Sequence, residues 1–227
     1  MSPTGEPARA FQGPRRGADR AVLLAHGAGS DHRAAALVAV ADALAAAGIP
    51  SLRFDYPYKA AGRRAPDRLP VLAAATRDAA RALARRLDLP PERVVLGGRS
   101  MGGRVGSLVA ADPDDPVPAL GLLLLGYPLH PAGRPDRRRD GHFGALRMPV
   151  CFVSGTRDAL APRPELTRAA RRIAGPVTIH WLESADHGYR PLKASGRSVD
   201  DVLTEVAETS VTWVRSLPGP PGAGNKS

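Results

Sequence analysis

Apolar runs separated by glycine and proline set the rhythm of this chain. Ala21-Val-Leu-Leu-Ala25, Ser51–Phe54, Arg93–Leu96, Leu120–Leu125, Val150–Ser154 and Val177–Leu182 read as strands. Segments of helical composition lie between them. Ala34–Ala47 stops at Gly48. Val71–Leu87 has an arginine-rich outer face and ends at Pro90-Pro91. Met101–Ala111 stops at Asp112-Pro113, and Arg163–Ala174 and Ser198–Leu217 complete the set. Leu122-Leu-Leu-Leu125 is an unbroken apolar run, the mark of a strand buried on both faces. Such strands alternating with helices predict an α/β fold: a mostly parallel sheet, helices on both faces, right-handed crossovers.

The same pattern suggests three parts. Residues 1–19 form an N-terminal segment with room for one edge strand. Residues 20–217 form a single α/β domain, and the Pro/Gly-rich residues 218–227 are expected to be a disordered tail. Two stretches, 57–69 and 128–147, are irregular and too short for a large lid domain. Both leave the C-terminal ends of strands, where open α/β sheets place ligands, so they are expected to shape a pocket.

Composition narrows the class. A chain of 227 residues with 43% apolar content can bury a real core. Residues 1–19 lack the apolar segment of a secretory signal, and Ala119–Leu125, the longest apolar stretch, is broken by Gly121. Cys151 is the single cysteine, so no internal disulfide framework exists. A cytoplasmic protein is the expectation. The net charge of +10 raises the question of an acidic partner, but the arginines are scattered and aromatics, at 4%, do not interleave with them. A solvated basic surface is expected, with no nucleic-acid and no membrane partner. Arg63, Arg64, Arg134 and Arg137–Arg139, on the two irregular stretches, hint at polar or anionic substrates.

The candidate chemistry begins at Gly97-Gly98-Arg99-Ser100-Met101-Gly102-Gly103, which contains G-x-S-x-G. In a chain with 24 glycines the pentapeptide alone is weak. Its context is stronger, because it joins a strand ending at Leu96 to a helix starting at Met101. A nucleophile elbow holds its serine in a strained backbone conformation and doubles the chain back on itself, so Gly98 and Gly102 have no room for side chains. Ser100 is the candidate nucleophile.

An acyl-transfer site also needs N–H donors for a developing oxyanion. Met101 N–H follows the nucleophile at a helix N-terminus. The loop His26-Gly27-Ala28-Gly29, directly after the first strong strand, offers Ala28 N–H as the second donor. His26 precedes the nucleophile, whereas this fold's chain order puts the base last, so it reads as a structural residue packing that loop. The acid and base are expected downstream, in that order. Asp158 lies just past a strand end in Gly155-Thr-Arg-Asp158, and His187 follows the next strand in Glu183-Ser-Ala-Asp-His-Gly188. Asp158 also fits a helix cap, and Asp186 is an alternative acid. His180 reads as core or helix-facing, His142 as a residue near substrate without assigned chemistry, and His32 and His130 as ordinary loop residues. Cys151 reads as buried strand packing. The chemistry calls for no metal and no organic cofactor.

Together, Leu24-Ala-His-Gly-Ala-Gly29, Arg53-Phe-Asp-Tyr-Pro57, Gly97-Gly-Arg-Ser-Met-Gly-Gly-Arg104, Leu125-Gly-Tyr-Pro-Leu-His130, Gly155-Thr-Arg-Asp158 and Ala185-Asp-His-Gly188 resemble a family of small α/β hydrolases. That family is similar to dienelactone hydrolases. It includes bacterial proteins, a testis-expressed vertebrate protein and the hydrolase-like domain of a histone-acetyltransferase complex subunit. The resemblance covers about residues 20–215. It implies the α/β-hydrolase fold and a triad of Ser100, Asp158 and His187; only residues 1–19 precede the first strong strand, so the leading strands common in that fold are expected to be reduced. Dienelactone hydrolases carry cysteine where this chain has Ser100, which argues against lactone chemistry, and the resemblance implies little about substrate. The expected function is hydrolysis of a small-molecule carboxylic ester, or a thioester or small amide, through a serine acyl-enzyme. Some relatives are interaction domains, so a scaffold without turnover is the alternative. Oligomeric state is not legible.

Overall fold

The computed structural model describes residues 8–219; the expected tail at 218–227 therefore lies almost wholly outside the described residues. Seven strands form one sheet in the order β1-β3-β2-β4-β5-β6-β7. They are β1 (Arg9–Gln12), β2 (Ala21–Ala25), β3 (Ser51–Phe54), β4 (Val94–Arg99), β5 (Gly121–Leu125), β6 (Val150–Gly155) and β7 (Val177–Leu182). β1 is an edge strand running antiparallel to β3, and every other pairing is parallel. The helices are α1 (Ala35–Ala46), α2 (Pro57–Ala60), α3 (Leu69–Leu87), α4 (Met101–Ala110), α5 (Arg163–Ala170) and α6 (Val199–Ser216).

The unbroken apolar strands do what their composition dictates. Leu122 and Leu124 of β5 point into the core beneath α3 and α4, while Leu123 and Leu125 point into the core beneath α1 and α6. Alternate residues of β2 divide in the same way. Neither face of the central sheet meets water, so each strand contributes apolar burial twice.

The boundaries depart from the sequence pattern where glycine and proline misled it. β4 runs on through Gly97 and Gly98 to Arg99, because β2 and β5 flank it and supply ladder partners on both sides. α3 starts at Leu69, with Pro70 in the first turn, where a missing N–H costs nothing. α5 stops at Ala170, short of the predicted Ala174. Ala174 and Gly175 N–H donate instead to Leu146 O, which ties this stretch to the loop before β6. Pro57 opens the short helix α2 inside a stretch read as irregular.

Topology fixes where chemistry can happen. From β2 the chain steps outward to β3, then returns to the other side of β2 as β4. The loops after β2 and β4 therefore leave neighbouring strands in opposite directions and open a crevice at their C-terminal ends. Those are the loops carrying His26–Gly29 and Ser100.

Candidate active site

Ser100 sits between β4 and α4 with φ 50° and ψ −110°. This is a left-handed φ that a non-glycine residue avoids unless its surroundings impose it. The surroundings here are backbone. A Cβ at Gly98 would stand 2.6 Å from Gly102 C and Gly103 N. A Cβ at Gly102 would overlap the carbonyl of Ala25, the last residue of β2, and lie 2.8 Å from its Cβ. The two glycines thus clear different obstacles: Gly98 admits the returning helix, and Gly102 lets that helix press against β2.

Ser100 Oγ lies 3.0 Å from His187 Nε2, and His187 Nδ1 lies 2.8 Å from Asp158 Oδ2. An ionised Asp158 can only accept, so Nδ1 carries the proton and Nε2 is free to accept the Ser100 hydroxyl proton. The other oxygen of Asp158 accepts Leu160 N–H at 2.8 Å, which fixes the carboxylate. Asp158 is 1% exposed and His187 about a quarter exposed, so the buried carboxylate points outward to an imidazole that a small molecule can reach. Asp158 does not cap α5, whose N-cap position is Pro162. Asp186 turns away from the imidazole, and its Oδ1 accepts the Gly188 and Arg190 N–H groups at 2.8 and 2.9 Å, which braces the His187 loop.

The loop after β2 packs directly on the elbow. A Cβ on Gly27 would stand 3.6 Å from Ser100 Cβ, and Gly29 adopts φ +75° where the loop turns away. His26 is fully buried. Its Nε2 accepts Tyr56 N–H at 3.1 Å and its Nδ1–H donates to Gly27 O at 2.8 Å. Burial holds it below the usual histidine pKa, so a neutral imidazole ties the loop to the start of the 57–69 stretch. Among the described residues, Ala28 and Met101 N–H donate to no other residue.

The remaining histidines are spent elsewhere. Ser107 spends its hydroxyl proton on Arg104 O at 2.8 Å, so His142 Nε2–H donates to Ser107 Oγ at 2.8 Å, and burial pushes the His142 pKa down to about 4. His180 faces α6 and meets Glu205 at 2.7 Å. His32 Nδ1 lies 3.0 Å from Asp55 Oδ2. Asp31, His32 and Asp55 bring three possible metal-ligand atoms within 4.8 Å of one another, but Asp31 is committed to Arg33 at 2.7 Å and Asp55 to His32.

The cleft at Ser100 has a volume of about 530 Å³. It is lined by the loop after β2, the start of α1, the His187 loop and the first turns of α6. This corrects the expectation that 57–69 and 128–147 shape it. Those stretches fold down onto the body instead: Tyr127 OH donates to Arg139 O at 2.6 Å, and buried Phe143 packs on Tyr127 and Phe152. Two of their arginines are neutralised, Arg63 by Asp67 and Arg138 by Asp140 and Glu165. Sequence reading missed the lining residues Arg99, Tyr189 and Arg190, although each adjoins a motif.

A parallel sheet with its crevice at the β2/β4 reversal, a strained serine in that crevice and an ordered histidine and aspartate beside it define an α/β hydrolase. The chain belongs to that family, whose model, described as an alpha/beta hydrolase domain, matches residues 18–215. Solved structures share the fold. An alpha-beta serine hydrolase homologue from Coxiella burnetii matches with TM-score 0.69 at 17% identity, over 93% of both chains. A dienelactone hydrolase from Anabaena variabilis matches with TM-score 0.67 at 20% identity, over 93% of this chain and 92% of its own. Est1E from Butyrivibrio proteoclasticus, solved with ferulic acid bound, matches with TM-score 0.68 at 15% identity, over 92% of this chain and 96% of its own. Among the described residues no helix is long and apolar enough to cross a membrane.

Proposed function

We propose that this protein is a serine hydrolase that cleaves a small carboxylic ester, or the related thioester, through an acyl-enzyme on Ser100. The observation that carries this reading is the chain of contacts from Ser100 Oγ through His187 to Asp158, at 3.0 and 2.8 Å, mounted on a strained elbow. His187 Nε2 takes the hydroxyl proton as Ser100 Oγ attacks the carbonyl carbon. The carbonyl oxygen becomes anionic and is held by Ala28 and Met101 N–H, the latter at the positive end of α4. Collapse breaks the bond to the leaving group, which departs with the proton from His187. A water molecule, deprotonated by the same imidazole, then attacks the acyl carbon and releases the acid. Asp158 stays ionised throughout and offsets the charge of the imidazolium.

Covalent labelling with a fluorophosphonate probe tests this. The native protein should label, Ser100→Ala should not, and a panel of short-chain 4-nitrophenyl esters and thioesters should be hydrolysed only by the parent. A parent that neither labels nor turns over any member of the panel overturns the reading and favours a scaffold role.

A further inference from the structure

Arg99 occupies the variable position just before the nucleophile, and its charge is unspent. It is half-buried, and its guanidinium carbon lies 4.4 Å from the ring centroid of Tyr189. That ring is fixed, because Tyr189 is buried and its hydroxyl donates to Val153 O at 2.8 Å. The opposite side is cleared by Gly126, at φ +58°, where a Cβ would stand 2.5 Å from Arg99 Nη1. The polar contacts made by this guanidinium are Nη1 to Leu125 O at 3.4 Å and to Gly126 O at 3.5 Å, both at the weak limit of a hydrogen bond. Among the described residues no carboxylate lies within ion-pair distance of Arg99 or of Arg190.

Both arginines line the cleft that holds Ser100 and His187, and no acidic residue lines it. The nearby carboxylates are committed, Asp158 to His187 and Asp186 to backbone N–H groups. Ala34, Val199 and Leu203 supply an apolar wall. Ala34 is also the N-cap of α1 and offers no side-chain cap, so that helix turns a bare positive end to the cleft.

We propose that Arg99, with Arg190 at the rim, makes this cleft select an ester whose acyl chain ends in a carboxylate. A half-buried guanidinium with most of its N–H donors free, held flat on an aromatic ring, presents the planar fork that a carboxylate matches. The apolar wall suits the short methylene chain between that carboxylate and the scissile carbonyl. This rests on the serine-hydrolase reading above, so one arm of the test is independent of turnover.

The kinetic arm compares the 4-nitrophenyl monoester of glutaric acid with 4-nitrophenyl pentanoate, which have the same chain length and differ in the terminal charge. The parent should prefer the anionic ester, and the preference should fall as salt is raised. Arg99→Gln should lower the ratio of the two kcat/KM values by about 10- to 100-fold, the loss expected for hydrogen bonds to a charged group. Arg99→Lys, which keeps the charge without the fork, should recover part of the ratio. The binding arm titrates Ser100→Ala protein with monomethyl glutarate, methyl pentanoate and butyl phosphate by calorimetry. Monomethyl glutarate should bind most tightly, and adding Arg99→Gln should abolish its advantage. A parent that prefers the neutral ester, a ratio unchanged in Arg99→Gln, or tighter binding of the phosphate overturns the proposal. Should Arg99→Gln fail to fold, the parent's preference, its salt dependence and the three-ligand titration still decide. Absent turnover with intact monomethyl glutarate binding would sink the hydrolase reading and leave the anion site standing.

Discussion

Gly102→Ala separates the proposed oxyanion geometry from general stability. Gly102 and Gly106 both lie on α4, and the same methyl group can be added to each. At Gly106 the new Cβ meets Leu96 Cβ at 3.7 Å, an ordinary contact. Replacing a helical glycine by alanine there should stabilise the fold by about 0.5–1 kcal/mol. At Gly102 the Cβ overlaps the Ala25 carbonyl, and both partners are backbone with no rotamer to escape into. Either α4 or the end of β2 must move by on the order of 1 Å, which as overpacking costs about 1–3 kcal/mol. Ala25 is followed directly by His26-Gly27-Ala28, and Gly102 by one residue follows Met101. The displacement therefore moves the two N–H donors apart while leaving Ser100, His187 and Asp158 chemically intact.

Misplacement on that scale, or loss of one oxyanion donor, lowers kcat by about 10²–10³-fold. Urea unfolding gives the stability change. The rate of fluorophosphonate labelling and kcat/KM on a 4-nitrophenyl ester give the chemical change, measured where both variants are fully folded. Gly102→Ala should be folded but slow, and Gly106→Ala should be folded and close to the parent. A folded Gly102→Ala within about threefold of the parent, under about 1 kcal/mol of barrier, would refute the assignment of Ala28 and Met101 as paired donors. So would an equal loss in Gly106→Ala.

Asp158→Asn keeps the shape but lets His187 adopt the wrong tautomer, and kcat should fall by about 10³–10⁴-fold with little change in KM; a loss under tenfold would remove Asp158 from the proposed triad. His142 has a folded-state pKa pushed down to about 4 by burial, with Arg104 adding to the effect. The unfolded chain therefore binds a proton more readily, so this group's contribution is present above about pH 6.5 and is lost as pH falls toward 4, up to roughly 3 kcal/mol. Urea midpoints should fall more steeply between pH 7 and 5 for the parent than for His142→Gln, and parallel curves would contradict this. Burial raises the Cys151 thiol to about 12, so a disulfide-exchange reagent should titrate no thiol in native protein and one in urea.

The motif residues were legible because their constraints are local. A G-x-S-x-G turn needs glycine on steric grounds that hold wherever a strand meets a helix so tightly, and Gly98 and Gly102 meet that demand with backbone atoms alone. The order of Ser100, Asp158 and His187 was legible for a related reason: parallel strands leave their loops at one end, so residues after successive strands converge whatever the loops do. The cleft lining was not legible, because it depends on which loops fold down. Nothing in the string Arg137-Arg138-Arg139 says that Arg138 will meet Asp140 and Glu165, whereas Arg99 forms no ion pair among the described residues. Charge in a sequence is a sum, but recognition depends on what remains after pairing, and pairing across a sheet is set by tertiary contacts. The same limit explains β4. Glycine weakens an isolated strand, yet Gly97 and Gly98 sit between two neighbours that supply every ladder bond. The pair reads as a strand end in the sequence and serves in the fold as the central rail on which Ser100 is mounted.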